Sequence, residues 1–506
     1  MRGRHLPLEG ASTQILDLNP EQFRTLGYDV VDQLADLIES LPRRPVAPSL
    51  SRQEIETRLL DVTGADLPET GTPASQILSQ AVAMLGSYTR LNGHPGFMGQ
   101  IVSPGAPAAA LCDLIAGVVN PNVALWSAAP VAAEMEKQAI SWVASLVGFP
   151  TPCGGLFVSG GTMANIVGLV TARRRWEREF KGDSGFRVYT SQATHGWLEK
   201  AQTLCGIPAA NVVRLPTDSM RRLRADVLEE RLQAEPAQSR GSVLVATAGE
   251  VMLGSVDPMG QLLELCERYG LWCHVDGAYG APAAAVLDDP DLRAIAEADS
   301  LVVDAHKWLH APLEAGCLLV RDPLALPSAF DQAPWYADRE KAFSEPTLDY
   351  LRMGPQTSRA FRALKVWFLL RNLGRHGYMT RIQEDIALSR ELFKKVDQHP
   401  RLEAVSQQLC IAAFRYVPPD AGSQAPSADY LNRLNAEILY ETQRGGEIYL
   451  SNATREGAYL LRACTMNFRT RHTDVARIPE LVSRVGENVH QRMTLPPKSS
   501  PPLAKN

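Results

Sequence analysis

Between residues 92 and 375, short apolar runs alternate with stretches of helical periodicity, and no other feature limits the chain as much. The runs Gly155–Ser159, Arg187–Thr190, Val212–Leu215, Ser242–Thr247, Leu271–Val275, Leu301–Asp304 and Ala315–Val320 are strand-like, each bounded by Gly, Pro or polar residues. Helical segments such as Met163–Phe180 and Pro258–Tyr269 lie between them. Strand–helix alternation predicts an α/β fold with a mostly parallel sheet covered by helices on both faces. In such sheets ligands sit beyond the carboxyl ends of the strands.

The remainder of the chain reads differently. Residues 1–91 hold an amphipathic helix from Pro20 to Leu41 and a second from about Pro73 to Leu91, joined by Pro-containing linkers. Neither has a core of its own, so both are expected to pack on the main domain or on a second subunit. Residues 376–494 read as a small α+β domain. It has a long helix (Arg381–Gln398), strand-like Ile411–Tyr416, Glu447–Leu450 and Tyr459–Cys464, and a helix near Pro479–Met493. Residues 495–506 read as a flexible tail.

Composition removes several function classes. Of 506 residues, 51 are basic and 56 acidic, a net charge of −5, so no strong basic field favours nucleic acid or an anionic membrane. No apolar run reaches the ~18–20 residues that span a bilayer, and the first residues have positive charge but no apolar core behind it. The eight cysteines form no CxxC pair, so no metal is expected and a reducing cytoplasm is the expected compartment.

Four places at predicted strand ends carry chemistry. In Ser159-Gly160-Gly161-Thr162-Met163 a strand enters a small-residue turn and a helix starts, an arrangement that offers backbone N–H groups to an anion. His195 follows another strand, and its ring could stack on a flat heterocycle or carry a proton. Asp276, in His274-Val275-Asp276-Gly277-Ala278, ends an apolar strand and could face a cationic ligand group. Lys307, in Asp304-Ala305-His306-Lys307-Trp308, stands 31 residues after Asp276, where a lysine can form a Schiff base. Taken singly, each has a plainer reading: a turn, a structural histidine, a capping aspartate and a surface lysine. Together they are an anion cradle, an aromatic platform, an acid and an amine at the edge of one sheet, the set that pyridoxal 5′-phosphate requires.

The runs SGGTMAN, ATHGWLEKA, HVDGAYG and DAHKW, in that order, resemble the pyridoxal-phosphate group II amino acid decarboxylases, over roughly residues 20–490. The resemblance implies the fold of the aspartate aminotransferase type (fold type I), with a large cofactor domain and a small C-terminal one. It implies a homodimer with N-terminal helices wrapping the partner. Lys307 would hold the cofactor, Asp276 would pair with its pyridine nitrogen, and His195 would stack on its ring. Gly161, Thr162 and His306 would bind its phosphate, and Ala278 would lie against the ring. A loop tyrosine, here Tyr336, would protonate the product carbon. The implied reaction is decarboxylation of an L-amino acid to a primary amine. The alternatives are a decarboxylation-dependent aldehyde synthase, another lyase or transaminase on the same fold, and a non-catalytic binding protein.

Two departures bear on this reading. Asp304-Ala305-His306-Lys307 replaces the frequent Asn-Pro-His-Lys. Asn122 and Ala124 stand where an isoleucine and a phenylalanine are expected, which implies a smaller, more polar substrate wall, with Phe97 and Trp126 as the remaining candidate pocket aromatics. Arg359 has two readings, a partner for a substrate carboxylate or for a structural acid.

Overall fold

A computed structural model describes residues 16–180, 185–234, 241–331, 348–419 and 426–494. Three helices open the chain: α1 (Pro20–Ser40), α2 (Arg52–Thr63) and α3 (Ala74–Tyr88). Asn19 starts α1 by accepting the N–H groups of Glu21 and Gln22, while the Gln22 side chain returns to the Asn19 N–H. No residue of α1 is buried, and Phe23, Tyr28, Val31, Leu34 and Ile38 are all exposed.

Helices α4 (Pro107–Val119) and α5 (Pro130–Val147) lead into the large sheet. Its strands are β1 (Gly154–Val158), β2 (Val188–Ser191), β3 (Val212–Leu215), β4 (Val243–Thr247), β5 (Trp272–Asp276), β6 (Ser300–Asp304) and β7 (Gly316–Val320). The spatial order is β1-β7-β6-β5-β4-β2-β3. Strands β6, β5, β4, β2 and β3 run parallel, while β7 is antiparallel to both β6 and β1. Helices α6 (Gly161–Phe180), α7 (Trp197–Leu204), α8 (Ala225–Ala234), α9 (Met259–Tyr269), α10 (Pro290–Ala294) and α11 (Ala325–Phe330) occupy the connections. Strands covered on both faces need apolar residues on both, and β4 to β7 are buried at every position.

Helix α12 (Ala363–Asp397) joins the two halves. The sequence suggests one helix ending near Gly374 and another beginning at Arg381. The structure breaks the helical run at Gly374, whose φ 63° and ψ 177° are not helical, and a second helical stretch continues from there to Asp397. The small sheet is antiparallel, in the order β10 (Ser451–Arg455), β11 (Ala458–Cys464), β9 (Ile411–Tyr416), β8 (Leu402–Gln408). Helices α13 (Ala428–Arg444), α14 (His472–Ala476) and α15 (Ile478–Thr494) complete this half. Phe414, Leu434, Ile438, Leu461 and Val482 form its core.

One strand expectation needs correction. Glu447–Leu450 is not a strand of the small sheet. Tyr449 instead makes a single parallel bridge to Phe97, and β10 begins at Ser451. The Tyr449 N–H donates to Gly96 O and its carbonyl accepts the Met98 N–H, both at 2.9 Å. Residues 96–98 therefore hydrogen-bond into the small half. Strand β8 escapes sequence reading because Leu-Glu-Ala-Val-Ser-Gln-Gln is largely polar, as an edge strand with one wetted face can be.

Candidate active site

The carboxyl ends of β4, β5 and β6, the start of β7 and the turn after β1 meet at one edge of the large sheet, and Arg462 on β11 of the small half faces them. Between them lies a cleft of about 760 Å³. Gly161, Thr162, His195, Asp276, Ala278, His306 and Lys307 all line it. Tyr336 lies outside the described residues, as does the tail at 495–506.

The anion cradle is built by contact. Helix α6 begins at Gly161, so the N–H groups of Gly161, Thr162 and Met163 have no carbonyl ahead of them in the helix. A Cβ at Gly161 would stand 2.5 Å from Asp304 Oδ2, so only glycine lets the helix start lie this close to the end of β6. Gly160 adopts φ 148°, which a side chain would resist. The cradle fits a phosphate group: three free donors at a helix start, with a hydroxyl at Thr162.

Lys307 sits in the turn after β6. Its Nζ is 3.2 Å from Asp304 Oδ2, and His306 Nε2 is 3.6 Å from the same oxygen. Burial lowers the His306 pKa, so the ring favours its neutral form. The Ser103 hydroxyl donates to the Lys307 carbonyl at 2.5 Å and pins the turn to the segment just before α4. Asp276 ends β5, beside β6. Its Oδ2 accepts the Trp197 indole N–H at 2.7 Å, and its Oδ1 accepts the Ala278 N–H at 3.2 Å. His195 is exposed in the cleft, and its Nδ1 accepts the Trp197 backbone N–H at 3.2 Å. Ala278 is buried and presents only a methyl group.

Behind Asp276, His274 is buried between Asn165 Oδ1 and Ser300 Oγ, each at 2.8 Å. Asn165 gives its amide N–H to Gly161 O, so its carbonyl faces the ring and Nε2 must carry the proton. Burial lowers this histidine's pKa to about 4, with the Asp276 charge opposing.

Sequence reasoning did not single out Trp197, Thr247, Arg462 or Tyr279, which also line the cleft. Arg462 is 4% exposed, donates Nη1 to Val251 O, and has an Nε with no partner among the described residues. Its signal was present: an arginine inside the apolar strand Tyr459–Cys464 must have a reason to be buried. Thr247 had no such signal, since a threonine at a strand end is ordinary; its buried hydroxyl is likewise unpartnered among the described residues.

Other expectations are corrected or resolved here. Asn122, Ala124, Phe97 and Trp126 do not line the cleft within one chain. Asn122 Oδ1 accepts the Arg359 N–H, Ala124 packs on Leu351, Phe97 stacks on Tyr449, and the Trp126 indole donates to Glu134. Arg359 takes the structural option. It pairs with Glu136 at 2.5 Å, both side chains almost fully buried, and it also donates to the carbonyls of Val123 and Phe157.

The fold and the cleft together define a pyridoxal-phosphate enzyme of fold type I. The family model described as "Pyridoxal-dependent decarboxylase conserved domain" matches residues 57–417. The chain is 29% identical to an aromatic-L-amino-acid decarboxylase of Bacillus atrophaeus, over 94% of this chain and 97% of that one. A phenylacetaldehyde synthase of Petunia hybrida is 27% identical, over 89% of this chain and 91% of the other. The crystal structure of an Oryza sativa TDC with PLP and tryptamine superposes with a TM-score of 0.83 at 25% identity, over 93% of this chain and 99% of that chain. The chain belongs to the pyridoxal-dependent decarboxylase family. It is an amino acid carboxy-lyase whose cofactor is pyridoxal phosphate.

Proposed function

We propose that this chain takes the α-carboxylate from an L-amino acid, releases carbon dioxide and returns the primary amine, with roles assigned to residues of the cleft and to Tyr336. One observation carries the assignment: an amine (Lys307), a carboxylate (Asp276) and a buried guanidinium (Arg462) face one cavity from three different elements. When bound, the cofactor supplies a carbonyl that condenses with amines and a conjugated ring that accepts the electron pair left by departing carbon dioxide.

Lys307 would hold the cofactor through its amine. Asp276 would pair with the pyridine nitrogen and keep it protonated. His195 stacks on one ring face. Gly161, Thr162 and His306 hold the phosphate, and Ala278 leaves room for the ring, where a larger side chain would intrude. Arg462, whose Nε has no partner among the described residues, would hold and orient the substrate carboxylate. Tyr336 returns a proton to Cα.

The protein is further proposed to act as a homodimer in the cytoplasm. Helices α1 and α4 expose Tyr28, Leu34, Leu114, Ile115, Val118 and Val119, an apolar surface that a second copy would cover. All eight cysteines are free thiols, as a reducing compartment favours. Among the described residues no helix is long and apolar enough to cross a membrane.

The test is a panel of L-amino acids offered to the cofactor-loaded protein, with carbon dioxide, amine and peroxide measured together. Carbon dioxide matched one-to-one by amine is the expected result. Aldehyde with peroxide would replace this reading with the synthase one. No carbon dioxide from any amino acid would remove it.

A further inference from the structure

We propose that Trp197 is a positioning residue for Asp276, and that its indole N–H fixes the carboxylate plane that meets the cofactor ring. The inference rests on the assignment of Asp276 made above. Trp197 is the first residue of α7 and is 1% exposed. An indole has one donor and no acceptor, and here the donor is spent on Asp276 Oδ2 at 2.7 Å, short as charge-assisted N–H···O bonds are.

The terminal torsion of an aspartate is broad and roughly two-fold, so a carboxylate on a strand end swings at little cost unless something holds it. The Ala278 N–H reaches Oδ1 at 3.2 Å, a longer contact. His274, two residues before Asp276, gives it nothing, because both ring nitrogens are taken by Asn165 and Ser300. Its imidazole instead meets the Trp197 ring edge-on, with centroids 6.1 Å apart at 80°, and so fixes the indole. Trp197 also donates its backbone N–H to His195 Nδ1. One side chain thus sets the acid at the edge of the ring and one backbone group sets the imidazole on its face. A carboxylate held this way keeps its remaining lone pairs aimed into the cleft before any cofactor arrives.

The experiment compares Trp197→Phe with Trp176→Phe. Trp176 is also buried, on α6, but its indole N–H has no partner among the described residues, so its loss controls for ring replacement alone. In Trp197→Phe the cofactor dissociation constant, read from visible absorbance, is expected to rise about tenfold, the equivalent of ~1.4 kcal/mol. The share of turnovers in which dissolved oxygen is reduced to peroxide, with aldehyde and ammonia formed in place of the amine, is expected to rise as well. Trp176→Phe should match the parent in both. The bond can also be read with Trp197 in place. In the 15N-indole-labelled parent holoenzyme one indole N–H resonance should lie downfield, and Asp276→Asn should move it. A Trp197→Phe protein with parental affinity, absorbance and product ratio overturns the role of Trp197 alone, as does an indole spectrum that Asp276→Asn leaves unchanged. Failure of the parent itself to bind the cofactor would overturn the site assignment and this inference with it.

Discussion

Lys307 Nζ lies 3.2 Å from Asp304 Oδ2, across the turn that follows the sixth strand of the large sheet, and Asp304 Oδ1 has no partner among the described residues. Asp304 is 2% exposed. A buried carboxylate needs a counter-charge, and here the counter-charge is the proposed cofactor lysine.

Replacing Lys307 with Ala is therefore expected to do two separable things. It abolishes carbon dioxide release and the visible absorbance of covalently held cofactor. It also destabilises the fold by about 1–3 kcal/mol, because the Asp304 charge is stranded. Adding Asp304→Asn should restore the stability and leave the activity at zero. Urea unfolding alongside an activity assay separates the two effects, and a stable, active Lys307→Ala protein would contradict both.

Arg462→Met should lower kcat/KM by roughly 10–100-fold, the loss of charge-assisted hydrogen bonds worth ~1.5–3 kcal/mol. Cofactor affinity should stay near the parent value, because the proposed partner of Arg462 is the substrate. Parallel measurement of steady-state kinetics and cofactor titration checks this. An equal loss in both would move Arg462 from substrate to cofactor.

Arg359→Leu should be the most destabilising of these changes, by about 3–5 kcal/mol, since it leaves Glu136 buried and unpaired. Glu136 also accepts the Phe157 N–H of the first strand, so the damage reaches the strand that leads into the phosphate cradle. Equilibrium denaturation gives the value. A cost under about 1 kcal/mol would mean that the pair is solvated.

His274 sets an acid limit on stability. Its folded-state pKa, about 4, lies below the ordinary value of 6.5, so the folded state resists taking up a proton that the unfolded chain accepts. Its contribution is complete above about 6.5 and is lost as pH falls toward 4, by at most about 1.4 kcal/mol per pH unit. Denaturation midpoints between pH 4 and 7.5 should fall more steeply toward acid in the parent than in His274→Phe, where His310, held to about 3 by burial, keeps its own share of the slope. Identical slopes would show that another group governs the acid limb.

How much of this was legible in the sequence differs by element. Apolar runs bounded by turn residues announced all seven strands of the large sheet, because strands buried on both faces cannot hide their composition. The residues at the ends of β1, β2, β5 and β6 were legible for the same reason: polar and small residues stand out after an apolar run. Strand β8 was not legible, being a mostly polar edge strand. Helix α13 carried a signal that the sequence reading passed over: Ser427 as a cap, then Leu431, Leu434, Ile438 and Leu439 at helical spacing. Asn122, Ala124, Phe97 and Trp126 were read from their sequence neighbourhood as a pocket wall; within one chain their contacts are with Arg359, Leu351, Tyr449 and Glu134.

The sequence by itself determined the class of fold and the cofactor, and it pointed to Gly161, His195, Asp276 and Lys307 as the residues proposed to hold that cofactor, through the order of motifs along the chain and their resemblance to one family. Only the tertiary structure decided what those residues touch. It set Asp304 against Lys307, Trp197 on Asp276, Glu136 on Arg359, and Arg462 of the small half across from the large sheet. Apart from Asp304 and Lys307, these pairs join residues 79 to 223 positions apart or lie in different halves of the protein. Periodicity and turn chemistry act over a few residues. Partners so far apart are selected by the burial of charge and donors once the sheet has formed.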